Sequence, residues 1–201
     1  MGNLGGCGLG ALDKETLLAM DHDARAFTLV GAFMGYFAVL ELGINSAVGD
    51  VLDIEPLKIS IITRNMSLND KINTLRTLVN FYVFDKTKAD EFDKWALKAR
   101  KISETRNMVA HTAFRASSKT DGVEFFTVEA KKHLNLTETH WTIDDFISRI
   151  DEINTVDNNL RAIKSRMSLQ KIAKALMASP PRGAFGGLLG LGATLSSKDG
   201  D

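Results

Sequence analysis

Cysteine, proline, tryptophan and net charge are all scarce in this 201-residue chain: one cysteine, three prolines, two tryptophans, and 25 basic against 25 acidic side chains. The lone Cys7 has no intrachain partner, which excludes a disulfide scaffold and makes a reducing cytoplasm the simplest expected compartment. A basic region followed by an apolar run, the mark of a secretory signal, is missing from the N-terminus. The opening Met1-Gly2 resembles an acylation start, but Gly6 stands where that motif needs Ser or Thr. The longest apolar stretch, Val30 to Leu42, is interrupted by Gly31, Gly35 and Glu41 and followed by Gly43, so no membrane span is expected. Zero formal charge removes any overall signal for a polyanionic partner.

The familiar signatures of chemistry are missing too. The chain has no phosphate-cradling glycine loop, no dinucleotide fingerprint, no cysteine pair and no two histidines at zinc-ligand spacing on a helix, so neither a metal nor a cofactor is expected. His133 and His140 flank a β-prone segment, where lone surface histidines are common.

What is present is helical periodicity. The glycine-rich residues 1–12 are expected to form a flexible tail, residues 13–178 one helical domain, and residues 179–201 a disordered tail. From Asp13, a plausible N-cap, Leu17, Phe27, Val30, Met34, Phe37, Leu40, Ile44, Val48 and Val51 recur at three-and-four spacing, predicting one long helix whose glycines mark close helix approach. Pro56 sets a boundary. Ser67 to Asp70 then forms a capping-box-like start for a second helix, and Thr87 to Asp90 repeats that signal for a third, running to about Phe114. Ser117 to Gly122 reads as a turn. Val123 to Val128 reads as a short strand, paired with residues near His140 and Trp141 in a hairpin over 123–142. Thr142 to Asp145 caps a last helix, extending as far as Leu176 before Pro180 and Pro181. The expected fold class is all-α, an antiparallel bundle of four to five helices with that one short hairpin.

The third helix carries the candidate site. Its apolar stripe steps through Phe92, Trp95, Ala99, Ile102 and Val109, and Arg106 sits where the stripe should continue. A buried guanidinium needs a carboxylate, a line of carbonyls, a subunit interface or an anionic ligand, because an unpaired buried cation costs several kcal/mol. Ala96, Ala99, Ser103 and Ala110 keep that face small, which favours an interface or cleft over a filled core. His111 follows Arg106 by five residues, roughly 140 degrees around the helix, so the two can border one cleft without sharing a face. Asn107, four residues before His111, is its same-face neighbour and is placed to orient the imidazole.

Around the arginine, Lys98, Arg100, Lys101, Arg115 and Lys119 stand against Glu104 alone, and an acidic stretch follows from Glu124 to Glu152. Lys98, Lys101 and Arg115 are candidate phosphate contacts or, equally, a solvated surface. Glu104 is placed either to pair with Arg106 or Lys101 or to face solvent.

The run Ser103-Glu104-Thr105-Arg106-Asn107-Met108-Val109-Ala110-His111 resembles the Arg-polar-x3-His motif of HEPN domains, small helical modules of prokaryotic toxin-antitoxin, abortive-infection and CRISPR systems. The long first helix, the Ser67-Leu68-Asn69-Asp70-Lys71 helix start and the late position of the motif extend the resemblance over about Asp13 to Leu176. The resemblance implies a cytoplasmic, metal-independent endoribonuclease, a toxin or defence effector acting as a homodimer, with motifs from two subunits facing one cleft. An antitoxin or nucleotidyltransferase partner is implied as well. In that reading His111 moves the proton of an RNA 2′-hydroxyl or of the leaving oxygen, Arg106 stabilises charge on the phosphorane, and Asn107 positions the histidine or a phosphate oxygen. The expected product is a 2′,3′-cyclic phosphate. The alternatives are a non-catalytic module binding RNA, a nucleotide or a protein partner through the same dimer cleft, and a structural protein in which a buried ion pair explains Arg106.

Overall fold

The computed structural model of the chain describes residues 13–83, 85–130 and 134–162. Six helices and a small antiparallel sheet follow in the order α1 (Lys14–Ala19), α2 (His22–Leu52), α3 (Pro56–Thr63), α4 (Leu68–Tyr82), α5 (Lys86–His111), β1 (Ala113–Ala116), β2 (Val123–Ala130), β3 (Leu134–Trp141) and α6 (Ile143–Arg161). The fold is therefore mostly helical, roughly consistent with the helical bundle expected, with a small three-stranded sheet in place of the single hairpin. The end expected for the last helix at Leu176 and both expected tails lie outside the described residues.

Capping chemistry sets most of the boundaries. Asp13 caps α1 as expected, accepting from the backbone N–H groups of Glu15 and Thr16. The single long helix expected from Asp13 is instead two, because Asp21 supplies a second cap through the amides of Asp23 and Ala24. Ser67 and Asp70 form a reciprocal capping box at α4, as do Thr142 and Asp145 at α6. The start of α5 is set by Asp85, not by Thr87 to Asp90, since the Asp85 carboxylate accepts from the Thr87 and Lys88 amides. Pro56, read as a boundary, stands at the first turn of α3, where its missing N–H costs nothing.

Strand β1, which the sequence did not announce, corrects a further expectation. α5 ends at His111 rather than continuing to Phe114, because Ala113–Ala116 pairs with β2, placing Phe114 opposite Phe125 and Arg115 opposite Glu124. The expected hairpin is present, with Val123 opposite Trp141 and Glu124 opposite His140. Alternation then separates two faces. Phe114, Phe125 and Trp141 point to the core, while Arg115, Glu124 and His140 form a row across the opposite face.

Helix α2 is the hub, contacting α3, α4, α5, α6 and β1. It buries Leu29, Phe33, Phe37, Leu40 and Ile44, while α5 buries Phe92, Ala96, Ala99 and Ile102. Phe33, Trp141, Phe125 and Phe146 join α2, the sheet and α6 in edge-on and tilted ring contacts with centroids 5.0–6.4 Å apart. Such a cluster buries large apolar area in favourable ring geometry.

The glycines of α2 bear on two expectations. Only part of its glycine pattern marks close approach: a Cβ on Gly43 would lie 2.0 Å from Asp157 Oδ1 on α6, and one on Gly49 would press on Ile59 of α3, but Gly31 and Gly35 face open space. As expected, the glycines are not breaks: α2 runs unbroken through Gly31, Gly35, Glu41 and Gly43. Continuous over 31 residues, it is long and apolar enough by length and composition to cross a membrane, and 33% of its most apolar window is buried in the fold.

Candidate functional site

α2 and α5 both lean on α4, and the N-terminus of α4 closes a cleft of about 390 Å³ between them. Phe37 and Glu41 come from α2, Met66 to Asn69 from the start of α4, and Ser103, Arg106 and Asn107 from α5. The small Ser103, one turn before Arg106, leaves the opening that a larger side chain would fill. Of the residues marked by the sequence, the structure brings Arg106 and Asn107 into this cleft.

Arg106 is half-buried. One terminal nitrogen donates to Asn107 Oδ1 at 3.3 Å, and the guanidinium carbon stands 5.4 Å from the centroid of the Phe37 ring. Its Nε is buried and has no acceptor. Among the described residues no carboxylate pairs with it. Glu41, the carboxylate that shares the cleft, is bonded through Oε1 to Nζ of the buried Lys71 at 2.8 Å. Glu104, expected to pair with Arg106 or Lys101 or to face solvent, is exposed, and neither it nor Lys101 forms an ion pair among the described residues.

The α4 N-terminus adds oriented donors. Within the first turn the Asp70 amide donates to Ser67 Oγ and the Lys71 amide to the Ser67 carbonyl, while the Leu68 and Asn69 amides have no acceptor among the described residues. Free amides at a helix start attract anions through both hydrogen bonding and the helix dipole. Asp70 opposes part of that field, since its carboxylate accepts from the Ser67 hydroxyl at 2.6 Å and from the Ser67 amide.

The other marked residues lie apart. His111 is the last residue of α5, exposed, outside the cleft lining and without a hydrogen bond among the described residues. The Lys98 ammonium lies 4.4 Å from the centroid of Trp95. Arg115, marked for phosphate, is instead committed to the sheet. It donates to Glu124 Oε2 at 2.7 Å and lies over Phe126.

That sheet row is the second polar cluster. Glu124 is 1% exposed, and the hydrogen bond from Arg115 is the main cause holding its carboxyl below the usual range. Ser117 Oγ accepts from the Lys119 and Thr120 amides and lies 3.1 Å from His140 Nδ1. His140 Nε2 stands 3.6 Å from Glu124 Oε1. Glu124, Glu138 and His140 could converge on a metal ion, but Lys119 Nζ already lies 3.3 Å from Glu138 and 3.5 Å from His140 Nε2.

Sequence reasoning missed Glu41, Lys71 and the α4 start as parts of the site. The Ser67–Asp70 capping box was a signal that a helix N-terminus lay there, but no local pattern says which helices it meets. Comparison of the chain with family models, with curated proteins and with solved structures finds no match, so the case for this site rests on its own geometry.

Proposed function

We propose that the protein engages RNA by holding a backbone phosphate in the Arg106 cleft, as a module of HEPN type. One observation carries the reading: a half-buried guanidinium without a carboxylate partner faces a cleft closed by the free amides of a helix start. A phosphate oxygen would accept from both and relieve the unsatisfied Nε. Arg25, Arg100 and Arg149 also bury an Nε without an acceptor among the described residues, but it is Arg106 that lines this cleft. Asn107, already bonded to Arg106, holds the guanidinium in place and offers its amide N–H groups to the same anion.

A second reading, metal-independent cleavage in a toxin or defence setting, is favoured by His111. Its imidazole is exposed and unbonded, and it lies on the same helix about 7.5 Å along the axis from Arg106. It does not line the cleft of its own chain. A second copy would bring its histidine to the phosphate, as the dimeric HEPN resemblance implies. His111 would then take the 2′-hydroxyl proton while Arg106 balances charge on the phosphorane, leaving a 2′,3′-cyclic phosphate.

The test is RNA retention and cleavage by wild type, Arg106→Ala and His111→Ala, all in chelator. Binding is expected for wild type and His111→Ala and lost in Arg106→Ala. Equal retention by Arg106→Ala would overturn the reading. Cleavage with cyclic-phosphate ends that disappears in His111→Ala would establish the enzyme, and a requirement for magnesium would remove the mechanism.

A further inference from the structure

The formal charges that line the cleft or pair with its lining among the described residues come from three helices and are two of each sign. Arg106 on α5 and Lys71 on α4 are the cations; Glu41 on α2 and Asp70 on α4 are the carboxylates. Lys71 is buried and spent on Glu41, and Asp70 is spent on Ser67, facing the dipole of the helix start. Among these described residues the unspent cation is therefore Arg106, while Glu41 keeps Oε2 without a described partner and lines the same small space. A site with one unpaired cation and a fixed carboxylate accommodates a single negative charge. A second would be added against Glu41.

We infer, resting on the phosphate reading above, that Glu41 makes the cleft selective for an internal phosphodiester, a monoanion, over a terminal phosphomonoester. The monoester carries close to two charges at neutral pH because its second pKa is about 6. The volume agrees with a single nucleotide unit, since a cleft of about 390 Å³ falls at the small end of ligand pockets. The substrate class that follows is the interior of an RNA strand, not its phosphorylated end and not free mononucleotides. Glu41 acts as a specificity-determining residue: it excludes one charge state of the ligand and touches no reacting atom.

The experiment titrates adenosine 5′-monophosphate and its phosphate methyl ester, which share a base and sugar and differ in charge, into the full chain at pH 7.5, followed by NMR shifts of the cleft residues. In low salt, wild type is expected to bind the methyl ester about tenfold more tightly, and Glu41→Gln, whose amide oxygen still accepts from Lys71, to bring the two ligands to near parity. Wild type alone supplies a second arm. Raising salt from about 20 to 500 mM should shrink its preference, because screening weakens repulsion. Tighter or equal binding of the monophosphate by wild type in low salt overturns the selectivity and leaves RNA binding standing, as does a preference unchanged in Glu41→Gln or by salt. If neither ligand shifts wild type and RNA retention ignores Arg106→Ala, the phosphate reading falls and the selectivity with it.

Discussion

Two arginines, nine residues apart, meet opposite fates. Arg115 projects from the outer face of the sheet directly opposite Glu124 and finds a carboxylate, which is itself flanked by His140. Arg106 projects from α5 into a cleft whose carboxylate is already taken by Lys71, and its Nε is left buried without an acceptor. A cation satisfied within the fold is explained by the fold, whereas one left unsatisfied at an opening points outward to a ligand. The same basic segment of sequence therefore holds one structural arginine and one functional candidate, and local charge density does not distinguish them.

Exchanging the two roles is the strongest way to break this comparison. Arg106→Ala should weaken RNA binding about 10- to 100-fold, the value of a charge-assisted hydrogen bond of about 1.5–3 kcal/mol, with little change in melting temperature. Arg115→Ala should leave binding within about twofold and lower the melting temperature, since it strips the partner from a buried carboxylate. Filter binding and thermal melting of the two variants side by side decide the matter, and a binding loss in Arg115→Ala of the same size would erase the distinction.

Backbone substitutions on α2 sharpen it further. Gly43→Ala would put a methyl group 2.0 Å from Asp157 Oδ1, beside the Asp157–Arg161 pair, and should cost about 1–3 kcal/mol as overpacking. Gly31→Ala and Gly35→Ala, which meet nothing within 4 Å, should stabilise by about 0.5–1 kcal/mol through helix propensity. Denaturant melts that gave the three the same sign would contradict the described α2–α6 contact.

At the cleft edge, Ser67→Ala removes the cap of α4 and should cost about 1 kcal/mol while also weakening phosphate binding, because the amides it orients lie in the cleft. Thr142→Ala at α6 should cost a similar amount and leave binding alone.

The smallest effect expected is in acid. Arg115 holds the folded-state pKa of Glu124 below its unfolded value near 4.5, so the contribution is present above that pH and is lost as pH falls through the folded value. Stability measured from pH 6 to pH 3 should fall less steeply in Arg115→Ala than in wild type. Parallel curves would show that the pair does not drive the acid response.

Much of the fold was legible because caps are local. Asp13, Ser67 with Asp70, and Thr142 with Asp145 each announce a helix start within four residues, and all three act as caps in the structure. The failures are also local ambiguities. Asp21 falls in the gap between Leu17 and Phe27, which reads as part of one run, Pro56 can end one element or begin another, and Ala113–Ala116 is too short to show an alternation of its own. Within the site, Arg106 stood out because a cation interrupted an apolar stripe, and Asn107 followed by adjacency. Glu41 could not be found in the same way, since its importance lies in sharing a cleft with residues about thirty and sixty-five positions away.

By itself, the sequence determined the helical class, the hairpin, three of the six helix starts and the exceptional position of Arg106, all properties of periodicity and side-chain hydrogen bonding over a few residues. The tertiary structure alone decided which cation is paired and which is free. Pairing depends on what α2, α4 and the sheet bring alongside, and the meeting of distant segments is set by the burial of their apolar faces, not by any spacing along the chain.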